Sequence, residues 1–281
     1  MNLEFWKMNG AGNDFVVLDN RSLDRSLDRA VIARLCDRHR GVGADGLLAV
    51  EPVRDAAAAD FRMRYYNADG GEAEMCGNGA RCFAKFSRRL LAANGNAPVQ
   101  LRFQTEAGVI GAEFPDDELV RLRMSDPSAP EIGIELDPGD GPVPVHSINT
   151  GVPHAVVWLD DEAALEALPV RRWGRALRMD THFQPAGTNV NFACTESPGR
   201  IRIRTYERGV EAETLACGTG MVACALIHHQ LTGSASPIEV RVAGGDVLTI
   251  DFNQPEPGVY RDVHLTGPAD FVFHGQIQLQ T

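Results

Sequence analysis

CGNGARC (76–82) and CGTGMVAC (217–224) decide the reading of this chain, because they are two versions of one pattern. Their first cysteines lie 141 positions apart (217 − 76), about half of the 281 residues. The offset recurs on both sides. NDFVVLD (13–19) matches HAVVWLD (154–160), and Tyr65 matches Tyr206. Three landmarks in register at one offset mark an internal duplication. The expectation is two pseudo-symmetric domains facing each other about a two-fold axis.

Each copy reads alike at the level of elements. FVVLD and AVVWLD are short β-branched runs of strand type. RMRYYN (62–67) and RIRIRTYE (200–207) alternate polar and apolar residues, as half-buried strands do. A run of helix formers follows each CG-x-G: ARCFAKFSRRLLAAN in the first half, MVACALIHHQLTG in the second. The second is apolar nearly all round, so it reads as a buried central helix, ended by Gly233. The stretch 125–144, rich in Pro, Asp and Gly, reads as the loop region between halves. The tail from Gln254 reads as turns and short strands. The fold class is α/β with much sheet. The halves are set at 1–120, with the tail 266–281 returning to them, and 121–265.

Composition bounds the function. Hydrophobic residues make up 44%, enough for a core, and the net charge of −11 disfavours nucleic acid as a partner. No apolar run reaches the length of a membrane span. The N-terminal MNLEFWKMNGAGNDF lacks a basic start followed by an apolar stretch, so a cytosolic location is expected. There, the six cysteines are expected as thiols, metal ligands or catalytic groups rather than disulfides.

A cysteine at a helix mouth sits where backbone N–H groups lack partners and the dipole is positive, which stabilises a thiolate. The glycines let a ligand approach the backbone closely, and the same N–H groups can cradle a carboxylate. For one copy, a buried structural cysteine beside a tight turn is as good a reading. Two symmetry-related copies favour chemistry: inversion of a carbon centre needs one group to remove a proton from one face and another to deliver a proton to the opposite face. Cys76 and Cys217 are the candidates, as a thiolate–thiol pair of matched acidity. Only two lysines exist, Lys7 and Lys85, and neither is in a plausible Schiff-base setting. The spacing of CGNGARC does not suit structural zinc.

Other residues carry plainer readings. Cys36, Cys82, Cys194 and Cys224 are expected in the core. His228 and His229 are expected to have a helix-dipole or surface role, and 171–178 (RRWGRALR) to form a solvated helix face. Asp14 and Asp19 read as turn and cap residues. His154, at the start of the second-half strand and matching Asn13, is divided between a satisfied core histidine and a catalytic one.

KMNGAGNDFVVLD (7–19), GVGADG (41–46), YNADGGEAEMCGNGARC (66–82), NTGVPHAV (149–156), GTNVNF (187–192) and RTYERGVEAETLACGTG (204–220) together resemble the diaminopimelate epimerases, in that family's order. The resemblance implies two α/β domains, each a mixed sheet or barrel wrapped around a central helix. It implies a homodimer that interconverts LL- and meso-2,6-diaminopimelate on the route to lysine and peptidoglycan precursors, with no cofactor and no metal. Carried over by motif, Cys76 and Cys217 are the catalytic pair. Asn13, Asn67 and Asn189 resemble contacts to the polar ends of the substrate. Glu207 and Arg208 resemble an ammonium and a carboxylate contact, the latter a bidentate guanidinium fork. Gly77-Asn78 and Gly218-Thr219 resemble the backbone cradle of the reacting carboxylate, and His154 and Glu207 resemble groups that tune the thiols. The chain departs from many members at Gly46, where they carry Gln, and at Val152, where they carry Asn.

Three other functions fit parts of the pattern. A proline or hydroxyproline racemase would not need the YERG and YNADG ends. A redox protein would place its cysteines closer, as in C-x-x-C. A binding module would keep inert thiols.

Overall fold

The computed structural model describes residues 2–24, 26–53, 55, 57–73, 75–93, 95 and 97–279. The chain divides into two compact units, Met1–Leu122 with Gly267–Thr281, and Arg123–Thr266.

The first unit contains β1 (Asn2–Gly10), β2 (Asn13–Asp19), α1 (Arg29–Cys36), β3 (Gly46–Glu51), β4 (Phe61–Asn67), β5 (Glu72–Ala73), α2 (Gly77–Ala92), β6 (Gln100–Thr105), β7 (Gly108–Glu113) and β8 (Leu119–Arg123). The second contains β9 (Glu131–Leu136), β10 (Val143–Asn149), β11 (Pro153–Trp158), α3 (Glu162–Ala167), α4 (Val170–Arg178), β12 (Asn189–Ser197), β13 (Arg200–Glu207), β14 (Ala212–Thr214), α5 (Gly218–Thr232), β15 (Ile238–Arg241), β16 (Val247–Glu256) and β17 (Val259–Pro268). The last strand, β18 (Asp270–Gln278), belongs to the first unit and pairs antiparallel with β1.

Duplication is visible in the pairing senses. In the first unit β1–β2 is antiparallel, β2–β3 parallel, β3–β4 antiparallel, β4–β6 parallel and β6–β7 antiparallel. In the second, β10–β11, β11–β12, β12–β13, β13–β15 and β15–β16 repeat that series in the same order. Each sheet curls around one helix. α2 packs on β1, β2, β3, β4 and β6, and α5 on β10, β11, β12, β13, β15 and β16.

Strands trapped between a central helix and outer helices must be apolar on both faces, which explains the unbroken runs FVVL and GLLAVE. Val16, Leu18 and Leu47 pack with Ile32 and Leu35 of α1. On the other face a Cβ at Gly79 of α2 would meet Phe15 and Leu48. In the second unit Val157, Val190 and Phe192 pack with Leu165 of α3 and Val170 and Leu177 of α4. Arg171, Arg172 and Arg175 lie exposed on one face of α4, as expected, while Gly174 and Leu177 of the same segment are buried. α5 has no polar stripe because ten of its residues, including Met221, Ala225 and Ile227, are buried. It ends at Gly233 in the left-handed conformation, φ 72°.

Some local readings need correction. Segment 125–144 contains strand β9, whose alternation in EIGIEL outweighs the flanking Pro and Gly, and it pairs with β10. The tail forms the end of β16, a ten-residue strand and one of nine rather than short ones. His228 is buried, not on the surface, with its ring stacked 5.2 Å from that of Trp158. Among the described residues no helix is long and apolar enough to cross a membrane.

Close packing of β1 on the start of α2 requires glycine at position 10. A Cβ there would lie 2.7 Å from the carbonyl oxygen of Asn78 and 3.1 Å from Cys82 Sγ. Gly10→Ala is expected to destabilise the protein by about 1–3 kcal/mol through overpacking, read as a lower urea midpoint. An unchanged midpoint would show that this junction can give way.

Candidate active site

Both central helices begin one residue after a cysteine. Cys76 and Cys217 are the N-cap residues of α2 and α5, in extended backbone at φ −140°, ψ 120° and φ −125°, ψ 112°. Each carbonyl accepts the first helical hydrogen bond, from Ala80 N (2.8 Å) and Met221 N (2.9 Å). An N-cap side chain points at the open N–H groups of the first turn, a role usually filled by Ser, Thr, Asp or Asn. The Cys76 sulfur takes that place, whereas the Cys217 sulfur makes no cap hydrogen bond to its helix. The Gly79 N–H donates to Cys76 Sγ at 3.5 Å. The Cys217 sulfur lies 3.6 Å from Thr219 Oγ1. Gly77, Asn78, Gly218 and Thr219 are thus the first-turn residues beside the two sulfurs, where a helix offers backbone N–H groups to an anion.

Around Cys76, the first unit assembles polar groups from β1, β2 and the loop before β3. The thiol donates to Asn13 Oδ1 at 3.5 Å, while Asn13 Nδ2 donates to Asp45 Oδ2 at 2.7 Å. Asp14, read from sequence as a turn or cap residue, is instead an ion-pair hub. It pairs with Lys7 (2.7 Å) and Arg38 (2.8 Å) and accepts the Asp45 N–H (2.9 Å). Burial opposes its ionisation, but the hydrogen bonds from Arg38, Lys7 and the Asp45 backbone hold its carboxyl well below the ordinary range. Asp19 pairs with Arg21 at 2.8 Å.

At Gly46 the backbone leaves no room for a side chain. A Cβ would lie 2.6 Å from the Tyr66 carbonyl oxygen and 3.0 Å from Tyr65 Cε2. The Tyr65 hydroxyl donates to Asn67 Oδ1 at 3.0 Å, and its ring lies beside Gly46. Val152, at the other departure, is half-buried, and its carbonyl accepts the Thr150 N–H.

Around Cys217, β11 to β14 contribute. Glu207 accepts hydrogen bonds from Thr214 Oγ1, at 2.5 Å, and from Cys217. Burial pushes the Glu207 carboxyl up, with those two hydrogen bonds opposing. Asn189 Oδ1 accepts the Arg208 N–H at 2.9 Å, and Arg208 Nη1 donates to Ala186 O at 3.0 Å. His154 and Asn189 are register partners on the parallel pair β11–β12.

Geometry also fixes the tautomer of His154. Asn191 Nδ2 faces the Ala155 carbonyl (3.1 Å), which can only accept, and the same nitrogen lies 3.0 Å from His154 Nδ1. Thr205 Oγ1 donates to Asn191 Oδ1 at 3.0 Å. His154 Nδ1 is therefore an acceptor, and the ring proton sits on Nε2. That nitrogen is buried and has no hydrogen-bond partner among the described residues. Burial, with the nearby Arg208 charge adding to it, lowers the His154 pKa to about 3, so the imidazole is neutral.

The four remaining cysteines are buried, and burial raises their thiols, Cys36 and Cys82 to about 12. No cysteine forms a disulfide. Among the described residues no group of three or more His, Cys, Asp or Glu is placed to hold a metal ion.

The structure thus groups Asn13 with Cys76, Glu207 with Cys217, and Asn189 with Arg208. Asp45, Tyr65, Asn191, Thr205 and Thr214 are additional polar neighbours. Asn191 carried a signal: two residues beyond Asn189 on one strand, it shares that residue's face. Asp45 lay inside a quoted motif with nothing local to link it to Asn13.

The fold is that of isomerases that invert amino-acid centres and of their structural kin. A hydroxyproline epimerase of Agrobacterium vitis superposes with a TM-score of 0.67 at 17% identity, over 98% of this chain and 92% of that one. An Enterococcus faecalis protein of the phenazine biosynthesis PhzF family superposes at 0.68 with 17% identity, over 99% and 100%. Sequence narrows the class. The family model described as diaminopimelate epimerase matches residues 5–129 and 146–272. The diaminopimelate epimerase of Aquifex aeolicus is 43% identical over 98% of both chains, and that of a Hydrogenobaculum species 39% over the same share. This chain belongs to the diaminopimelate epimerase family and is an isomerase.

A histidine buried neutral stabilises the fold above its unfolded pKa of 6.5 and loses that contribution as pH falls towards 3. His154 is expected to account for about 2 kcal/mol of stability lost between pH 6.5 and 5. Urea unfolding of His154→Gln should show a correspondingly shallower pH dependence. Parallel curves for the two proteins would contradict a buried neutral His154.

Proposed function

We propose that this protein interconverts LL- and meso-2,6-diaminopimelate, supplying the route to lysine and peptidoglycan precursors, with Cys76 and Cys217 as the two acid–base groups. The observation that carries this reading is that each unit caps an enclosed helix with a cysteine and uses the same strand order to do so. One sulfur, as thiolate, removes the α-proton: the C–H bond breaks, an S–H bond forms, and the electron pair spreads into the adjacent carboxylate. The other sulfur, as thiol, delivers its proton to the opposite face of the same carbon. The protonation states end exchanged, as a reversible reaction requires.

Backbone N–H groups at Gly77-Asn78 and Gly218-Thr219 suit the carboxylate whose negative charge grows. Arg208 suits the distal carboxylate, Glu207 an ammonium, and the amides of Asn13, Asn67 and Asn189 the remaining polar atoms. His154, a neutral Nε2–H donor, suits a role in tuning a thiol. The scheme needs no cofactor and no metal, because two thiols supply both proton transfers. A cytoplasmic location follows from the metabolic role in this reading.

The test is proton NMR of LL-diaminopimelate with the protein in D₂O, reductant present and nothing else added. Loss of the α-proton signal with appearance of the meso isomer is expected. Cys76→Ala and Cys217→Ala should each lower turnover by about 10³-fold or more, and Arg208→Ala should mainly raise KM. Persistence of the α-proton would turn attention to proline and hydroxyproline as substrates.

We also infer a homodimer. Val272 and Phe273 on β18 are 56% and 49% exposed, an apolar pair suited to burial against a second copy. Sedimentation should give twice the monomer mass, and a monomer at micromolar concentration would remove this part of the reading.

A further inference from the structure

We propose that Asp45 is a positioning residue that holds Asn13 with its carbonyl oxygen, rather than its NH₂ group, turned towards the Cys76 sulfur. The inference rests on the reading of Cys76 as an acid–base group. It assigns a role to a residue with no part in the scheme above.

The argument is one of forced hydrogen-bond polarity. An ionised carboxylate can only accept. One oxygen of Asp45, Oδ1, accepts from Arg38 Nη2 at 2.8 Å. Its other oxygen, Oδ2, lies 2.7 Å from the Asn13 side chain and 3.3 Å from the Asp14 N–H. Asn13 must therefore present Nδ2 to Asp45 and Oδ1 to the opposite side, where Cys76 Sγ stands at 3.5 Å. The loop carrying Asp45 is itself fixed: its backbone N–H donates to Asp14, and Arg38 bridges both carboxylates. Lys7, buried beneath, pairs with Asp14 and donates to the Gly43 carbonyl. Lys7, Asp14, Arg38 and Asp45 form one charged cluster, with the Cys36 thiol against it; behind Cys76 on α2 lies the Cys82 thiol, near which Arg81, Lys85 and Asp270 also carry charge.

The consequence lies at the sulfur. The Gly79 N–H favours the thiolate, whereas an amide oxygen favours the thiol, because it can only accept the S–H. These two contacts, one from a donor and one to an acceptor, support both protonation states of the sulfur, as a group that alternates between base and acid requires. An Asn13 turned the other way would offer a second donor and bias the sulfur to thiolate.

Asp45→Asn tests this. Arg38 would claim the new amide oxygen, leaving the amide nitrogen to face Asn13 and turn it over. Iodoacetamide labelling at pH 7, followed by peptide mass spectrometry, reads each cysteine separately. In the variant the Cys76 rate relative to Cys217 is expected to rise about fivefold, with Cys36 and Cys82 still protected. In an Asn13→Ala background the same change at position 45 should alter the ratio less than about twofold, because the intermediary is gone. A ratio unchanged or lowered by Asp45→Asn, an equal rise in the Asn13→Ala background, or general labelling of the buried cysteines would each overturn the proposal. Labelling does not depend on turnover. Failure here therefore differs from failure of the epimerase reading, which would show as full activity in Cys76→Ala.

Discussion

The structure depends on one constraint: in each half a sulfur stands in the N-cap position of a helix enclosed by a curled sheet. A cap residue has extended backbone, and its side chain meets the open N–H groups of the first turn. In the second unit the enclosed helix α5 is apolar on every side, and the strands facing an enclosed helix are apolar on both sides, as in β2 and β3. The glycines after each cysteine let the helix start against the sheet without a Cβ in the way. At Gly79 such an atom would press on Phe15 and Leu48, and at Gly220 it would lie 2.4 Å from Asn191 Oδ1. N-cap sulfur, first-turn backbone N–H groups and packed core are thus consequences of one arrangement made twice.

Duplication supplies two similar sulfurs, but their surroundings have diverged. Asn13 of the first unit corresponds by offset to His154 of the second. Asn13 turns an oxygen to its cysteine and is itself held by Asp45. His154 is fixed by Asn191 as a neutral ring with its proton on Nε2. The first unit sets its amide through an ionic cluster of Lys7, Asp14, Arg38 and Asp45. The second uses neutral hydrogen bonds from Thr205, Thr214 and Asn191, plus one buried carboxyl, Glu207. The two sulfurs therefore sit in environments of different chemistry, one ionic and one largely neutral.

The departure at Gly46 shows how a family pattern can be kept while one residue changes. With the β3 backbone pressed against the Tyr66 carbonyl, no side chain fits at 46. The ring of Tyr65 lies over the same spot, and its hydroxyl meets Asn67. Nothing in the order of residues announces this, since Tyr65 and Gly46 come together only through the β3–β4 pairing.

The sequence by itself determined the duplication, the two cysteines, the central helices and the family, because these are written in periodicity, spacing and motif. It also marked four cysteines as core: Cys82 and Cys224 lie within the central helices, Cys36 at the end of α1 and Cys194 in the buried run of β12. Tertiary structure alone decided the polarity of the site. Whether Asn13 offers oxygen or nitrogen depends on a carboxylate 32 residues away, and the proton position on His154 depends on an amide 37 residues away. Asp14 became an ion-pair hub and His228 a buried ring for the same reason. Hydrogen bonding and burial are properties of neighbours in space, and local sequence carries no record of which distant residue will arrive there. The extra strand β9 and the long C-terminal strands belong with them, since sheet pairing overrode the turn-forming residues around them.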